Sequence, residues 1–152
     1  MTCTFFGHKN TPDKIISVLK NSLIYLIKQK GVNLFYVGNH GNFDYIVYKT
    51  LKDISKEYSI AYRVVLAYLP EKQQDYNYLD FSDTILPPGI ESVPKRFAIN
   101  FRNNYMLNNS DIVVTYITQS ISSHAAKFKE KAVKKKKEVI ELSDISKHKM
   151  DV

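Results

Sequence analysis

The stretch Thr2-Cys3-Thr4-Phe5-Phe6-Gly7-His8-Lys9 decides how this chain folds. Its β-branched and aromatic residues suit a strand, and the run stops at a glycine. A polar loop follows, and Thr11-Pro12 reads as an N-cap with proline at the first helical position. Strand, glycine loop and helix start make the opening unit of an α/β fold with a parallel sheet. In such a fold the first strand is central, and the loop after it faces a ligand crevice. Gly7 lets the backbone approach a ligand closely, while His8 and Lys9 bring polar and positive groups to its rim.

The rest of the chain repeats that unit. Residues Asp13 to Lys30 carry Ile15, Ile16, Leu19, Leu23, Leu26 and Ile27 at helical spacing, closed by Gly31 as C-cap. Leu34-Phe35-Tyr36-Val37 is apolar throughout, as a strand covered on both faces is. Gly38-Asn39-His40-Gly41-Asn42 then leads into a helix marked by Phe43, Ile46, Val47, Leu51 and Ile54, with Asn42 as its cap and Asp44 in the first turn. Ala61 to Tyr68 is the third strand. Tyr68 to Pro94 breaks the rhythm and reads either as a lid or as a surface excursion closing one sheet edge. Val93-Pro94 opens a third helix, running to about Asn108, with Phe97, Phe101 and Tyr105 as its packed stripe. Asp111 to Tyr116 is the fourth strand. A hydroxyl-rich segment from Ile117 to His124 precedes a helix through Ala125, Phe128, Ala132 and Val133, and Glu138 to Leu142 is the fifth strand. The expected architecture is α/β: a Rossmann-like open sheet, mainly parallel, of about five strands with helices on both faces. One domain spans 1–142, and 143–152 is a polar, flexible tail.

Composition narrows the function classes. A single cysteine excludes an intrachain disulfide, and its place in an apolar strand makes Cys3 an inert core thiol. No apolar run approaches the ~18 residues of a membrane span, and no basic segment followed by an apolar one opens the chain, so the expected location is the cytoplasm. The net charge of +7 raises the question of nucleic acid. From Lys127 onward, however, nine Lys face five Asp or Glu, which puts +4 of that charge in the last helix and tail. The block Lys134 to Lys137 ends a helix, where the backbone dipole favours positive charge. No aromatic residue is interleaved with it to stack bases, which argues against nucleic acid.

The two kinds of connection differ. Helix-to-strand links hold only turn residues, whereas strand-to-helix links hold His8, Lys9, Asn39, His40, Thr118, Ser120, Ser122, Ser123 and His124. In an open parallel sheet those loops share one edge, and helices starting there offer unpaired N–H groups suited to phosphate. A phosphorylated ligand, foremost a nucleotide, is the expectation. Gly38-Asn39-His40-Gly41 is neither a P-loop nor a G-x-G-x-x-G fingerprint. The histidines His8, His40 and His124 lie on separate loops without a Cys partner, so neither a metal nor a cofactor is expected. Asp80, Asp83 and Glu91 read as solvated carboxylates of an acidic rim.

The loops together resemble the small, single-domain members of the SLOG superfamily, the group named for the DNA-processing Smf/DprA proteins and the cytokinin-activating LOG proteins. The resemblance rests on 2–9, on Phe35 to Asp44 and on Val93 to Asn104, in the family's order, and covers Thr2 to Leu142. It implies a Rossmann-like fold, a nucleotide-type ligand at the strand ends and, in the bacterial branch, a sensing role. By resemblance, Gly7 and His8 match the first ligand loop, Gly38 to Asp44 the second, and Arg102 the arginine that precedes strand four in LOG-type enzymes. The fourth loop departs from the pattern. LOG enzymes carry a Pro-Gly-Gly-x-Gly-Thr run followed closely by a catalytic Glu, whereas Ser122-Ser123 stand here and no carboxylate appears before Glu130.

The leading expectation is therefore a non-catalytic nucleotide-binding protein. Its ligand-binding residues are Gly7, His8, Lys9, Gly38, Asn39, Gly41, Asp44, Arg96, Arg102, Thr118, Ser120, Ser122 and Ser123. The alternative is a hydrolase of nucleoside monophosphates with Asp44 or Glu91 in place of the missing Glu. A second alternative is a nucleic-acid or protein interaction module using the lysine-rich helix. The exposed aromatic stretch from Tyr68 to Phe81 adds a homo-oligomer, foremost a dimer.

Overall fold

β1 (Thr2–Gly7) sits between β2 (Leu34–Val37) and β5 (Ile112–Tyr116) in a six-stranded sheet whose order is β4-β3-β2-β1-β5-β6. A computed structural model describes residues 1–68, 80–118 and 123–145. All five strand pairings are parallel. The remaining strands are β3 (Ala61–Val65), β4 (Thr84–Ile85) and β6 (Glu138–Glu141). Helices α1 (Ile16–Lys30) and α2 (Gly41–Ile54) cover one face, and α3 (Ala98–Asn108) and α4 (His124–Lys134) cover the other. The fold is thus α/β and Rossmann-like.

Alternation along β1 builds both cores. Cys3 and Phe5 join the α1/α2 core, where the Phe5 and Phe35 rings stack at 6.1 Å; Phe6 enters the α3/α4 core and stacks on Phe128 at 5.0 Å. Cys3 is fully buried, and that burial pushes its thiol far above the ordinary range, as an inert core thiol requires. β5 is buried along its whole length, the signature of an inner parallel strand covered on both faces.

Several local expectations are corrected. The sheet has six strands because Thr84–Ile85 pairs with β3 at the edge and Ile85 O accepts from Leu66 N. Two residues are too few to show a period in sequence. Asp83 ties this excursion down, accepting from the hydroxyls of Tyr48 (3.1 Å) and Tyr62 (3.4 Å). Thr11 does not cap a helix: its hydroxyl donates to His8 O at 2.6 Å, and a 3-10 turn (Asp13–Ile15) intervenes before α1. Gly31 does close α1, at φ 71°. Helix α2 starts at Gly41 with His40 rather than Asn42 as its N-cap. Ile16, Phe97 and Val133, expected on packed faces, are 43%, 49% and 59% exposed. Beyond β6, 142–145 forms a helical turn in which Leu142 and Ser143 are buried. The expectations for 69–79, 119–122 and 146–152 lie outside the described residues, and with them those for Ser120, Ser122 and much of the aromatic stretch.

The end of β1 tolerates no side chain. A Cβ on Gly7 would run into the ring of the buried Phe43, which opens the core contact of α2. Gly7→Ala is therefore expected to lower unfolding free energy by about 1–3 kcal/mol, the usual cost of overpacking. Adding Phe43→Leu should recover part of that loss in urea titrations. A Gly7→Ala protein as stable as the wild type would contradict the packing described.

Candidate functional site

Where the chain leaves β1 for β2 on one side and β5 takes the other side, the loops diverge and a cleft of about 310 Å³ opens. Its floor is the end of β1, Phe5 to Gly7. One wall is polar: Lys9, His40 and Asp44 from the first two loops. The other comes from α3, with Ile99, Arg102, Asn103 and Met106, and from the start of α4, with His124 and Ala125. The four α3 residues fall at i, i+3, i+4 and i+7, so one helical face looks into the cleft.

Arg102 organises this site. It is 2% exposed, and its guanidinium donates through Nη1 to Val65 O and Asn39 Oδ1, both at 3.0 Å, and through Nε to Asn103 Oδ1 at 2.7 Å. Those bonds tie the ends of β2 and β3 to α3. Gly38 makes room for the arrangement: a Cβ there would come within 2.9 Å of Arg102 Nη1 and 2.8 Å of Asp44 Oδ2. Asn39 spends its oxygen on Arg102, leaving a buried Nδ2 without a partner among the described residues.

The neighbours of Arg102 take their ionisation from burial first and from its charge second. Nη2 lies 3.4 Å from His40 Nδ1, and because arginine only donates, that nitrogen accepts. The proton then sits on Nε2, which faces the Tyr68 hydroxyl at 3.3 Å. Burial, then the charges of Arg102 and Lys9, push the His40 imidazole down to about 4, so it is neutral at physiological pH. Asp44 accepts the His40 N–H at 2.9 Å and so holds the first turn of α2. Part of the residue reaches solvent, yet its carboxyl is enclosed. Burial pushes it up to about 6, against the opposing pull of Arg102 and of the His40 N–H.

Hydrogen bonds lock the loops to one another. Asn42 N donates to Lys9 O at 2.8 Å, joining the first two loops, and Thr118 N donates to His8 Nε2 at 3.3 Å, joining the loops after β1 and β5. Glu141 holds the exit of β5. Its carboxylate accepts from Thr115, Ile117 N, Lys129 and Ser143. Burial alone would raise that carboxyl, but those donors outweigh it and hold it below the ordinary range.

Of the residues singled out in sequence, Gly7, Lys9, Asp44 and Arg102 line the cleft. His8 and Thr118 bridge its two sides, Gly38 and Asn39 lie against Arg102, and Gly41 packs on the backbone of Lys9. Ser123 caps α4, its hydroxyl accepting from Ala126 N at 3.1 Å. Arg96 does not join them: it is exposed and lies over the ring of Phe97. Asn103, Ile99, Met106, His40 and His124 line the cleft without having been named as ligand residues. For the three on α3 the 99-102-103-106 spacing was the signal, masked by the aromatic stripe at 97, 101 and 105; His40 and His124 stood out only as loop histidines. Glu91 is exposed and lies outside the cleft lining. Lys134 to Lys136 are exposed at the far end of α4 from the cleft.

Among the described residues, no group of three or more His, Cys, Asp or Glu side chains is placed to hold a metal ion. No described helix is long and apolar enough to cross a membrane. A scan against protein-family models found no match, and neither did a search of curated proteins.

Asp44 and His40 give opposite linkage to pH. The Asp44 carboxyl is raised from 3.8 to about 6, so its contribution to stability is present below about pH 4 and is lost as pH rises through about 6. The His40 imidazole is lowered from 6.5 to about 4, so its contribution is present above about pH 6.5 and is lost as pH falls through about 4. Relative to wild type, Asp44→Asn should therefore gain stability as pH rises from 4 to 6.5, and His40→Gln should gain as pH falls over the same window. Denaturant unfolding across that range checks both signs; profiles parallel to wild type would contradict the assigned environments.

Proposed function

We propose that this protein binds a nucleotide or nucleotide derivative in the cleft without transforming it, as a sensor does. The observation that carries the reading is the cleft itself, which opens at the reversal of strand order between the N-terminal ends of α2 and α4. Its volume is at the lower end of ligand pockets, about 300–1,000 Å³, so a mononucleotide is the matching size. Helix N-termini carry N–H groups without helical acceptors and a partial positive charge, and Lys9 adds a full one at the rim. Phe6, Ile99, Met106 and Ala125 supply an apolar wall for a base. The resemblance to the small SLOG proteins supports the same ligand class. The reading includes a cytoplasmic protein acting as a homo-oligomer.

A second reading, hydrolysis of the base–sugar bond of nucleoside monophosphates, draws on one observation. Asp44 faces the cleft with a carboxyl poised near 6, within the working range of a general acid–base residue. Release of free adenine from AMP, abolished in Asp44→Asn, would establish it.

Titration calorimetry against AMP, GMP, CMP, UMP and their di- and triphosphates tests the leading proposal. At least one is expected to bind at one site per chain. The exposed Lys9 allows a variant that leaves the core intact, and Lys9→Glu should weaken that binding about tenfold, as charge reversal beside a phosphate does. Absence of heat across the panel, or equal affinity in Lys9→Glu, would overturn it.

A further inference from the structure

The two walls of the cleft each hold a hydrogen-bonding group that nothing else in the described structure uses. Asp44 spends Oδ2 on the His40 N–H, and its Oδ1 has no hydrogen-bond partner among the described residues. Asn103 is 8% exposed, and its oxygen is committed to Arg102 Nε, which fixes the amide orientation and leaves Nδ2 unpartnered in the cleft lining. Both side chains are positioned by Arg102: Asn103 through that 2.7 Å bond, Asp44 by lying beside the guanidinium against Gly38. The cleft thus presents a fixed acceptor and a fixed donor on either side of one buried cation. Leaving such groups unpaired when a ligand fills the cleft is costly, so the ligand must answer both.

We propose that Asp44 and Asn103 read the sugar of the bound nucleotide, Asp44 accepting from a ribose hydroxyl and Asn103 donating to one, so that the cleft selects ribonucleotides over 2′-deoxyribonucleotides. This rests on the nucleotide reading above. A phosphate has no proton to give Asp44 and is repelled by its charge, which sends the phosphate towards Lys9 and the start of α4. A base edge also sets a donor beside an acceptor, but the apolar side of the cleft, Ile99, Met106 and Ala125, is the surface on which a base packs, and that leaves the sugar hydroxyls to Asp44 and Asn103. A hydroxyl both donates and accepts, and the vicinal pair on ribose offers one group to each side chain.

The test is calorimetry of the wild-type protein with matched pairs: AMP and 2′-deoxy-AMP, then the guanine, cytosine and uracil pairs. A preference of about ten- to hundredfold for the ribo form is expected, the effect of one hydrogen bond to a charged acceptor. Asp44→Asn preserves an oxygen for the His40 N–H but removes the charge, and should cut the preference to under about threefold. Equal affinity for both members of each pair overturns the sugar assignment while the nucleotide reading stands. Binding of no member of any pair retires both. A ribo preference that survives in a folded Asp44→Asn protein, judged by an unchanged circular dichroism spectrum, also overturns the role given to Asp44. Should that variant fail to fold, the wild-type comparison alone decides.

Discussion

A guanidinium buried to 2% exposure is the constraint around which this molecule is arranged. A cation removed from water needs its donors satisfied, and Arg102 finds acceptors in a backbone carbonyl at the end of β3, the side chain after β2 and its own helical neighbour. Meeting that demand brings the ends of β2 and β3 and the body of α3 to one point. Truncating Arg102 would strand four acceptors, Val65 O, Asn39 Oδ1, Asn103 Oδ1 and His40 Nδ1, so its worth to the fold and its worth to a ligand are not separable by a simple deletion. Burial first, and then this cation, keep His40 unprotonated, and the cation also lowers the cost of enclosing the Asp44 carboxyl. One buried charge therefore sets the geometry of the site and the tautomer of His40, while burial dominates the ionisation of His40 and Asp44.

The sheet supplies what Arg102 cannot, which is the opening. With β1 in the middle and the chain progressing outward first to β2 and later to β5, the loops at the strand ends part above β1. Gly7 ends that strand with the Phe43 ring where a Cβ would be, so α2 packs tightly against the sheet and its first turn reaches the cleft rim. Lateral bonds then stop the opening from spreading. His8 is joined to Thr118 across the gap, and Glu141 clamps the exit of β5 with five donors from four residues. The cleft is a by-product of topology, kept in shape by side chains outside it.

Much of this was legible in sequence because the relevant signals are local. Strands β1, β2 and β5 are short runs of β-branched, aromatic and other apolar residues, α2 shows its period plainly, and the contrast between polar strand-to-helix links and bare helix-to-strand links indicated the edge of the sheet where the cleft opens. The misses are places where tertiary demand overrode local pattern. Helix α3 buries Arg102 and Asn103 beside Met106 and Leu107, while Phe97 at its N-cap is exposed, a departure from the aromatic-stripe reading that arises because part of its inner face lines the cleft. Thr11 answers His8 O instead of a helix end, and β4 exists only because β3 offers it an edge. Glu141 carried no signal at all: an acidic residue at a strand end gives no hint of the donors that the fold will bring to it.

Whether a ligand sits in the cleft is measured residue by residue in ¹H–¹⁵N correlation spectra of the protein titrated with ribonucleoside monophosphates. Saturable shifts are predicted for Gly7 to Lys9, His40 to Asp44, Ile99 to Met106 and Ser123 to Ala126, with the lysine-rich end of α4 unmoved. Shifts confined to Lys134–Lys137 or to the outer faces of α1 and α2, or spectra unchanged at saturating nucleotide, would contradict a ligand in the cleft.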